Sequence, residues 1–326
     1  MKKILILLCT LALILVLVVT KQESDTIIVY ASSEQFRNDA MQVQLSEAFP
    51  HLNVRVMYTP TAKAAAKLSV EKENTDADIV VGLETSYMSK ITDSLADISG
   101  YSKLEYLDEL KPENQDNKYL VWERQAGAFI INTDILNKNN LPMPKSYEDL
   151  LDPVYKGFIA MPDPKSSGTG YFFYKNLVNT KGEEGALAYI YTLEKNVKQF
   201  TESGSGPIKL LNQGEIAIGL ALTFQAVNHI NKGLPFEILF PEEGSPYSLT
   251  GTGLIKGREN NPDVVEVFKF LVNDFIMYDK INFTPEQIFK VQENSIPNYP
   301  SNIPYADMGG IESIEDKEYL LSLWKY

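Results

Sequence analysis

Gly157-Phe158-Ile159-Ala160-Met161-Pro162-Asp163-Pro164-Lys165-Ser166-Ser167-Gly168-Thr169-Gly170-Tyr171 is the stretch on which the reading of this chain turns. The apolar run 158–161 reads as a buried strand, and 171–177 can be helical. A strand, a loop of small hydroxyl residues and glycines, then a helix is a geometry that binds anions. The first N–H groups of a helix have no intrahelical partner and carry partial positive charge. Ser and Thr add donors, and Gly lets the backbone approach closely. Ser and Thr also cap ordinary helices, so the loop takes its meaning from the rest of the chain.

Working outward, the same strand–helix alternation repeats. A β-rich run at 26–30 ends in Ala31-Ser32-Ser33, and Phe36, Ala40, Val43 and Ala48 follow near helical spacing. The run 53–58 alternates as a strand, leading through Thr59-Pro60-Thr61 into a helix-favouring run at 62–72. A short buried strand at 77–81 ends in the loop Gly82-Leu83-Glu84-Thr85. This β-α-β-α-β pattern predicts a mostly parallel sheet covered by helices on both faces. In such sheets ligands sit beyond the carboxyl ends of the strands, and the loops there carry Ser32, Thr61 and Glu84. Glu84 reads equally well as a group for a ligand amine or sugar hydroxyl and as a solvated loop glutamate.

A second α/β region begins near Gly127. It holds predicted strands at 127–133, 158–163, 216–222 and 235–240 and a helix at 185–196. A second hydroxyl-rich loop, Glu202-Ser203-Gly204-Ser205-Gly206-Pro207, offers Ser203 and Ser205, and the strand at 216–222 ends at Thr223. Later, Val264, Phe268, Leu271, Val272 and Phe275 fall on one helix face. Residues 295–305 are irregular, and about the last 20 residues read as helical.

Composition narrows the function classes. The 326 residues are 44% hydrophobic, with net charge −13. An acidic chain is a poor partner for nucleic acid. Lys2 and Lys3 precede an apolar run from 4 to 19, so 1–24 is expected to be a signal peptide or an N-terminal membrane anchor. Cys9, the only cysteine, lies inside that run. Disulfides and zinc–thiolate sites are thereby excluded. His51 and His229 have neither metal-ligand spacing nor a neighbouring nucleophile, and no Walker A loop, GxSxG elbow or GxGxxG fingerprint is present. An enzyme is not expected, an uncharacterised exported enzyme being the alternative outside the binding-protein class, and no cofactor is called for. Trp122 and Arg124 read as hinge or core residues, or as ligand contacts.

The order of these features resembles the extracellular solute-binding proteins of bacterial ABC importers. The subgroup is the one with ferric-iron-binding, 2-aminoethylphosphonate-binding and sugar-phosphate-binding members. The resemblance is carried by Ile28-Val29-Tyr30-Ala31-Ser32, Ala77-Asp78-Ile79-Val80-Val81-Gly82 and the opening stretch. Phe200-Thr201-Glu202-Ser203-Gly204-Ser205, Gly214-Glu215-Ile216-Ala217-Ile218-Gly219 and Pro241-Glu242-Glu243-Gly244 continue it. It implies a type II periplasmic-binding-protein fold: two doubly wound α/β lobes joined by a two-crossing hinge. Residues 25–125 plus 247–326 would form the first lobe and 126–246 the second. It also implies a monomer outside the cytoplasmic membrane that hands a small solute to a permease. Ferric-iron binders of the group use adjacent tyrosines after the strand that follows the Gly-Glu motif. Ala221-Leu222-Thr223-Phe224-Gln225-Ala226-Val227-Asn228 contains none. Anion binders use helix N-termini and hydroxyl loops, which match Ser32, Thr61, Ser166, Ser167, Gly168, Thr169, Ser203 and Ser205. The expected solute is therefore a phosphonate or phosphorylated metabolite, with ferric iron as the alternative.

Overall fold

The computed structural model describes residues 26–110 and 117–326. The leader and Cys9 lie outside the described residues. The chain runs β1 (Ile27–Ala31), α1 (Gln35–Ala48), β2 (Val54–Tyr58), α2 (Thr61–Glu71), β3 (Ile79–Glu84), α3 (Thr85–Lys90) and β4 (Leu120–Asn132). It continues through α4 (Thr133–Lys138), β5 (Ile159–Pro162), α5 (Gly168–Leu193), β6 (Val197–Thr201), α6 (Gly206–Asn212), β7 (Ile218–Leu222), α7 (Thr223–Ile230) and β8 (Phe236–Leu239). β9 (Tyr247–Leu254), α8 (Pro262–Phe270), α9 (Ile276–Asn282) and α10 (Ile314–Leu323) complete the described elements.

The strands lie in the order β2-β1-β3-β9-β4-β7-β5-β6, with β8 added beside β4. β1 pairs parallel with β2 and β3, and β5 pairs parallel with β6 and β7. β4 is the element that joins these halves. Its first part, 120–126, pairs antiparallel with β9, and its second part, 127–131, pairs antiparallel with β7. The partner switch falls between Ala126 and Gly127. The two largest apolar cores lie one around Val29, Trp122, Phe268 and Phe275, the other around Phe129, Phe172, Phe173 and Trp324; smaller ones gather around Leu68 and Val80 and around Ile130 and Leu211.

Several sequence expectations change. β4 begins seven residues before the predicted strand, because the polar residues Glu123 and Arg124 are buried and paired. Glu123 meets Arg37 at 2.7 Å, and Arg124 lies 4.2 Å from the Tyr305 ring centre. Gly82 and Leu83 are strand rather than loop. Gly82 adopts φ 75°, and the β3–β9 register shifts between Val81 and Leu83. The two helices expected at 171–177 and 185–196 form one element kinked at Gly182, which has φ 73° and ψ 169°. The apolar face 264–275 is buried as its spacing predicts. Residues 306–324 were expected with the first lobe. Ala306, Met308, Leu320 and Trp324 instead pack into the second core, where Trp324 lies 5.2 Å from Tyr174 and 5.5 Å from Phe200 between ring centres. Bulky apolar side chains at the C-terminus fill the aromatic surface left by α5 and β6.

Within the first lobe Arg37 and Asp279 anchor a buried charge network. Arg37 donates to both carboxylate oxygens of Asp279, at 2.9 and 2.7 Å, and also meets Glu123 and Glu34. At the partner switch, the Ala126 N–H donates to Glu286 Oε2 at 3.2 Å, and the Tyr299 hydroxyl donates to the other oxygen. Burial, with Glu123 nearby, raises the Glu286 carboxyl from the ordinary 4.5 to about 8. A carboxyl raised on folding contributes stability that is fully present below its unfolded value and is lost as pH climbs through its folded value. The stability of the native chain minus that of Glu286→Gln is expected to fall between pH 4.5 and about 8 and then level off. Urea denaturation across that range measures it; a difference independent of pH contradicts the assignment.

Candidate functional site

Between the halves lies a cleft of about 620 Å³. The ends of β1, β2 and β3 supply one wall; the loops after β5 and β6 supply the other. Nine of the ten residues singled out from sequence line it: Ser32, Thr61, Glu84, Ser166, Ser167, Gly168, Thr169, Ser203 and Ser205. Thr223 does not. It is completely buried behind Leu222, with its hydroxyl unpartnered. A strand end read from sequence carries no information about which of two successive residues faces outward, and Leu222 and Gln225 take the lining positions.

The second-lobe wall is built from the two hydroxyl loops. Ser167 caps α5 by accepting from the Gly170 N–H at 3.5 Å. Thr169 is buried against Gly204, whose missing side chain leaves room for the threonine hydroxyl. Ser203 and Ser205 share a hydrogen bond of 3.2 Å. On the opposite wall the Ser32 hydroxyl is committed to the Thr59 carbonyl at 2.7 Å, while Thr61 accepts from the Glu84 N–H at 3.1 Å. An accepting hydroxyl keeps its own proton to give. Ser33, Gln225 and Thr250, which sequence reading missed, also line the cleft. Each carries a buried side-chain oxygen with no partner. Buried polar atoms are normally satisfied, so these three are exceptions at the cleft wall.

The charges in the cleft are mostly paired. Glu34 is held by Arg37 at 3.1 Å, and the Gln225 amide reaches it from the other lobe at 3.5 Å. Glu84 is not the solvated loop acid that one reading allowed. Its carboxylate pairs with Lys317 and packs on Gly168. Lys317, from α10, was invisible as a site residue because nothing local marks it. Lys165 donates to the Trp324 carbonyl at 2.7 Å. Trp122 and Arg124 do not line the cleft: Trp122 stacks on Phe275 at 6.1 Å between ring centres. Neither histidine lines it either, and His229 packs 5.8 Å from Phe236, its pKa lowered by burial. Among the described residues no cluster of three or more His, Cys, Asp or Glu could hold a metal ion.

Residues 76–306 match the family profile of the bacterial extracellular solute-binding proteins. The chain belongs to that family. Proteins of this kind are the solute-binding components of ABC transporters, and the family's place is outside the cytoplasmic membrane. An uncharacterized protein of Haemophilus influenzae is 32% identical over 203 residues, spanning 60% of this chain and 58% of the relative. Among solved structures, the periplasmic binding protein P5PA superposes with a TM-score of 0.78 at 23% identity, covering 92% of this chain and 98% of that one. The periplasmic binding protein AfuA from Actinobacillus pleuropneumoniae, solved with exogenous fructose-6-phosphate bound, gives 0.73 at 21% identity, covering 92% and 97%. Other neighbours include the ferric ion-binding protein A of Pasteurella haemolytica and a ferric binding protein from Campylobacter jejuni. These likenesses establish the fold, that of type II periplasmic binding proteins with two α/β lobes. Among the described residues no helix is long and apolar enough to cross a membrane.

At Gly168 the solute-binding protein's two walls meet, since any side chain there would run into the Glu84 carboxylate. Gly168→Val is expected to push Glu84 off Lys317 and to cost about 1–3 kcal/mol, as overpacking does. Urea denaturation is the check; an unchanged midpoint would mean that the walls are not in contact in solution.

Proposed function

We propose that this chain captures a small oxyanion-bearing solute, a phosphonate or a phosphorylated metabolite, and delivers it to the permease of an ABC importer. In this reading it acts as an exported monomer, with the leader either removed or kept as an anchor, and it binds without transforming its solute. The lobes are taken as 26–125 with about 247–290, and 126–246 with the C-terminal segment. The solute is held at their junction, and they close over it by bending at the two crossings.

The observation that carries the reading is the meeting of two hydroxyl loops, Ser166–Thr169 and Ser203–Ser205, on one wall of a cleft whose other wall holds unpartnered Ser33 and Thr250 oxygens. The N-terminus of α5 opens onto the first of these loops. Such a terminus favours a negative charge by about 0.3–1 kcal/mol. Each hydrogen bond to a charged acceptor adds roughly 1.5–3 kcal/mol. A few of these suffice for micromolar binding without arginine. The complex of AfuA with a sugar phosphate supports the same class.

Ferric iron is the rival solute, supported by the ferric-ion-binding neighbours. It favours phenolate and carboxylate oxygens. Tyr58 and Tyr87 line the cleft but are not an adjacent pair, and the Glu84 carboxylate is already engaged by Lys317.

A thermal-shift panel of phosphonates, sugar phosphates, phosphate and ferric citrate separates the two. A ligand at a thousandfold excess over its Kd stabilises the folded state by about 4 kcal/mol. The expected result is a shift with one oxyanion class and no visible tyrosinate-to-iron band with ferric citrate; a clear band, or a shift with iron alone, reverses the choice. Thr169→Val, nearly isosteric but lacking the hydroxyl, is expected to weaken oxyanion binding by about 1–3 kcal/mol in calorimetry. Native affinity in that variant removes Thr169 from the site.

A further inference from the structure

The ammonium of Lys317 sits in surroundings unlike those of any other lysine described here. Its Nζ lies 4.6 Å from the ring centre of Tyr87 and 4.6 Å from that of Tyr171, and it pairs with the Glu84 carboxylate. Two π faces and one carboxylate around a positive charge form a cation receptor, the arrangement that recognises amines in general. The receptor draws on both halves of the molecule. Glu84 and Tyr87 come from the end of β3 and from α3, Tyr171 from the first turn of α5. Lys317 is only 3% exposed, yet it lines the cleft.

The helix that carries Lys317 is fixed in place, so the ammonium is tethered. At its C-terminal end Trp324 packs among Tyr174, Phe200 and Tyr326, and its carbonyl accepts from Lys165. At its N-terminal end Ser313 caps it, and next to Lys317 the Glu318 carboxylate meets Lys90 at 2.9 Å from the first lobe. Asp316 lies 4.0 Å from Lys175 on α5. An ordinary surface ion pair would need none of this support. A cation receptor already filled by the protein's own lysine has a consequence for selection, because a second ammonium placed there would meet like charge and no free carboxylate.

We propose that Lys317 is a specificity-determining residue. As a tethered ammonium it occupies a cation receptor formed by Glu84, Tyr87 and Tyr171, and so bars solutes that would place an amine at that end of the cleft. The exclusion deepens the oxyanion reading above and, as a statement about solutes, rests on it. The receptor itself does not.

The test is chemical complementation in the full chain. Lys317→Ala deletes the atoms of a propylammonium group, and n-propylamine at neutral pH supplies them. The variant is expected to melt below the native chain and to recover at least half of that loss, saturably, with millimolar propylamine. Propan-1-ol at equal concentration should give no recovery, nor should propylamine when Glu84→Gln is added. A missing recovery, an equal response to propan-1-ol, or an equal response of the native chain overturns the receptor. Should Lys317→Ala fail to fold, lysine reactivity in the native chain decides. Reductive methylation of Lys317 is expected to be at least tenfold slower than that of Lys90, whose side chain is 41% exposed, and equal rates overturn the proposal. The solute claim is read separately, by comparing an alkylphosphonate with its ω-amino analogue. Lys317→Ala should gain at least tenfold for the amino compound relative to the native chain, and no gain, with alkylphosphonate still bound, overturns the exclusion. If neither compound binds either protein while propylamine still complements, the oxyanion reading fails and the receptor stands.

Discussion

The antiparallel ladder between β4 and β9 is the constraint that the rest of the molecule accommodates. β4 keeps β9 as its neighbour up to Ala126 and takes β7 from Gly127 onward. One strand thus belongs to both lobes, and its backbone must change direction without leaving donors unpaired. The pairing is kept up by local substitutes. The Gly127 N–H donates to the Pro246 carbonyl at 2.8 Å, and the Ser245 hydroxyl donates to the Gly127 carbonyl at 2.7 Å. The Ala126 N–H finds Glu286. Gly127 has no alternative residue, because a Cβ there would lie 2.6 and 2.7 Å from the Phe172 and Phe173 rings. Those rings belong to α5, whose first turn forms the hydroxyl wall of the cleft. The partner switch of β4 and the wall are therefore joined by direct packing.

Most of this architecture was legible in the chain because it depends on local periodicity. Alternation marked β2, and the offsets from Val264 to Phe275 marked a face that is buried throughout. Hydroxyl loops after strands marked the cleft, since their backbone geometry is a property of consecutive residues. What escaped notice is nonlocal. Arg37 and Asp279 are 242 residues apart, and only their meeting explains why polar positions in β4 and near α9 are buried. The apolar pattern of β4 before Gly127 is interrupted by Glu123 and Arg124, so it read as a connector. Ser33, after β1, and Thr250, within β9, look like ordinary polar residues until the fold leaves their oxygens without partners. Lys317 gave no signal at all, since its surroundings are defined by three residues from three other elements.

The global charge of the chain bears on its solute less than it first suggests. A net charge of −13 opposes an anion only over distances that salt does not screen, and the Debye length is about 8 Å at physiological ionic strength. Within the cleft the relevant charges are those a few ångströms away. Glu84 is tied to Lys317, and Glu34 shares Arg37 with Glu123 and Asp279, so these two carboxylates are held by cations of the protein itself. Freed from them, the local field is set by backbone N–H groups at the start of α5 and by hydroxyl protons. These are weak individually, but they sit in a space where water is scarce and dipoles are fixed. In such surroundings a hydrogen bond gains strength from the low dielectric, and an unpaired polar atom becomes costly. The same physics that makes the empty hydroxyls of Ser33 and Thr250 unfavourable makes a guest with several acceptor oxygens welcome. Selection then depends on which charges the protein has already satisfied, because only the unsatisfied groups remain to be offered to the solute.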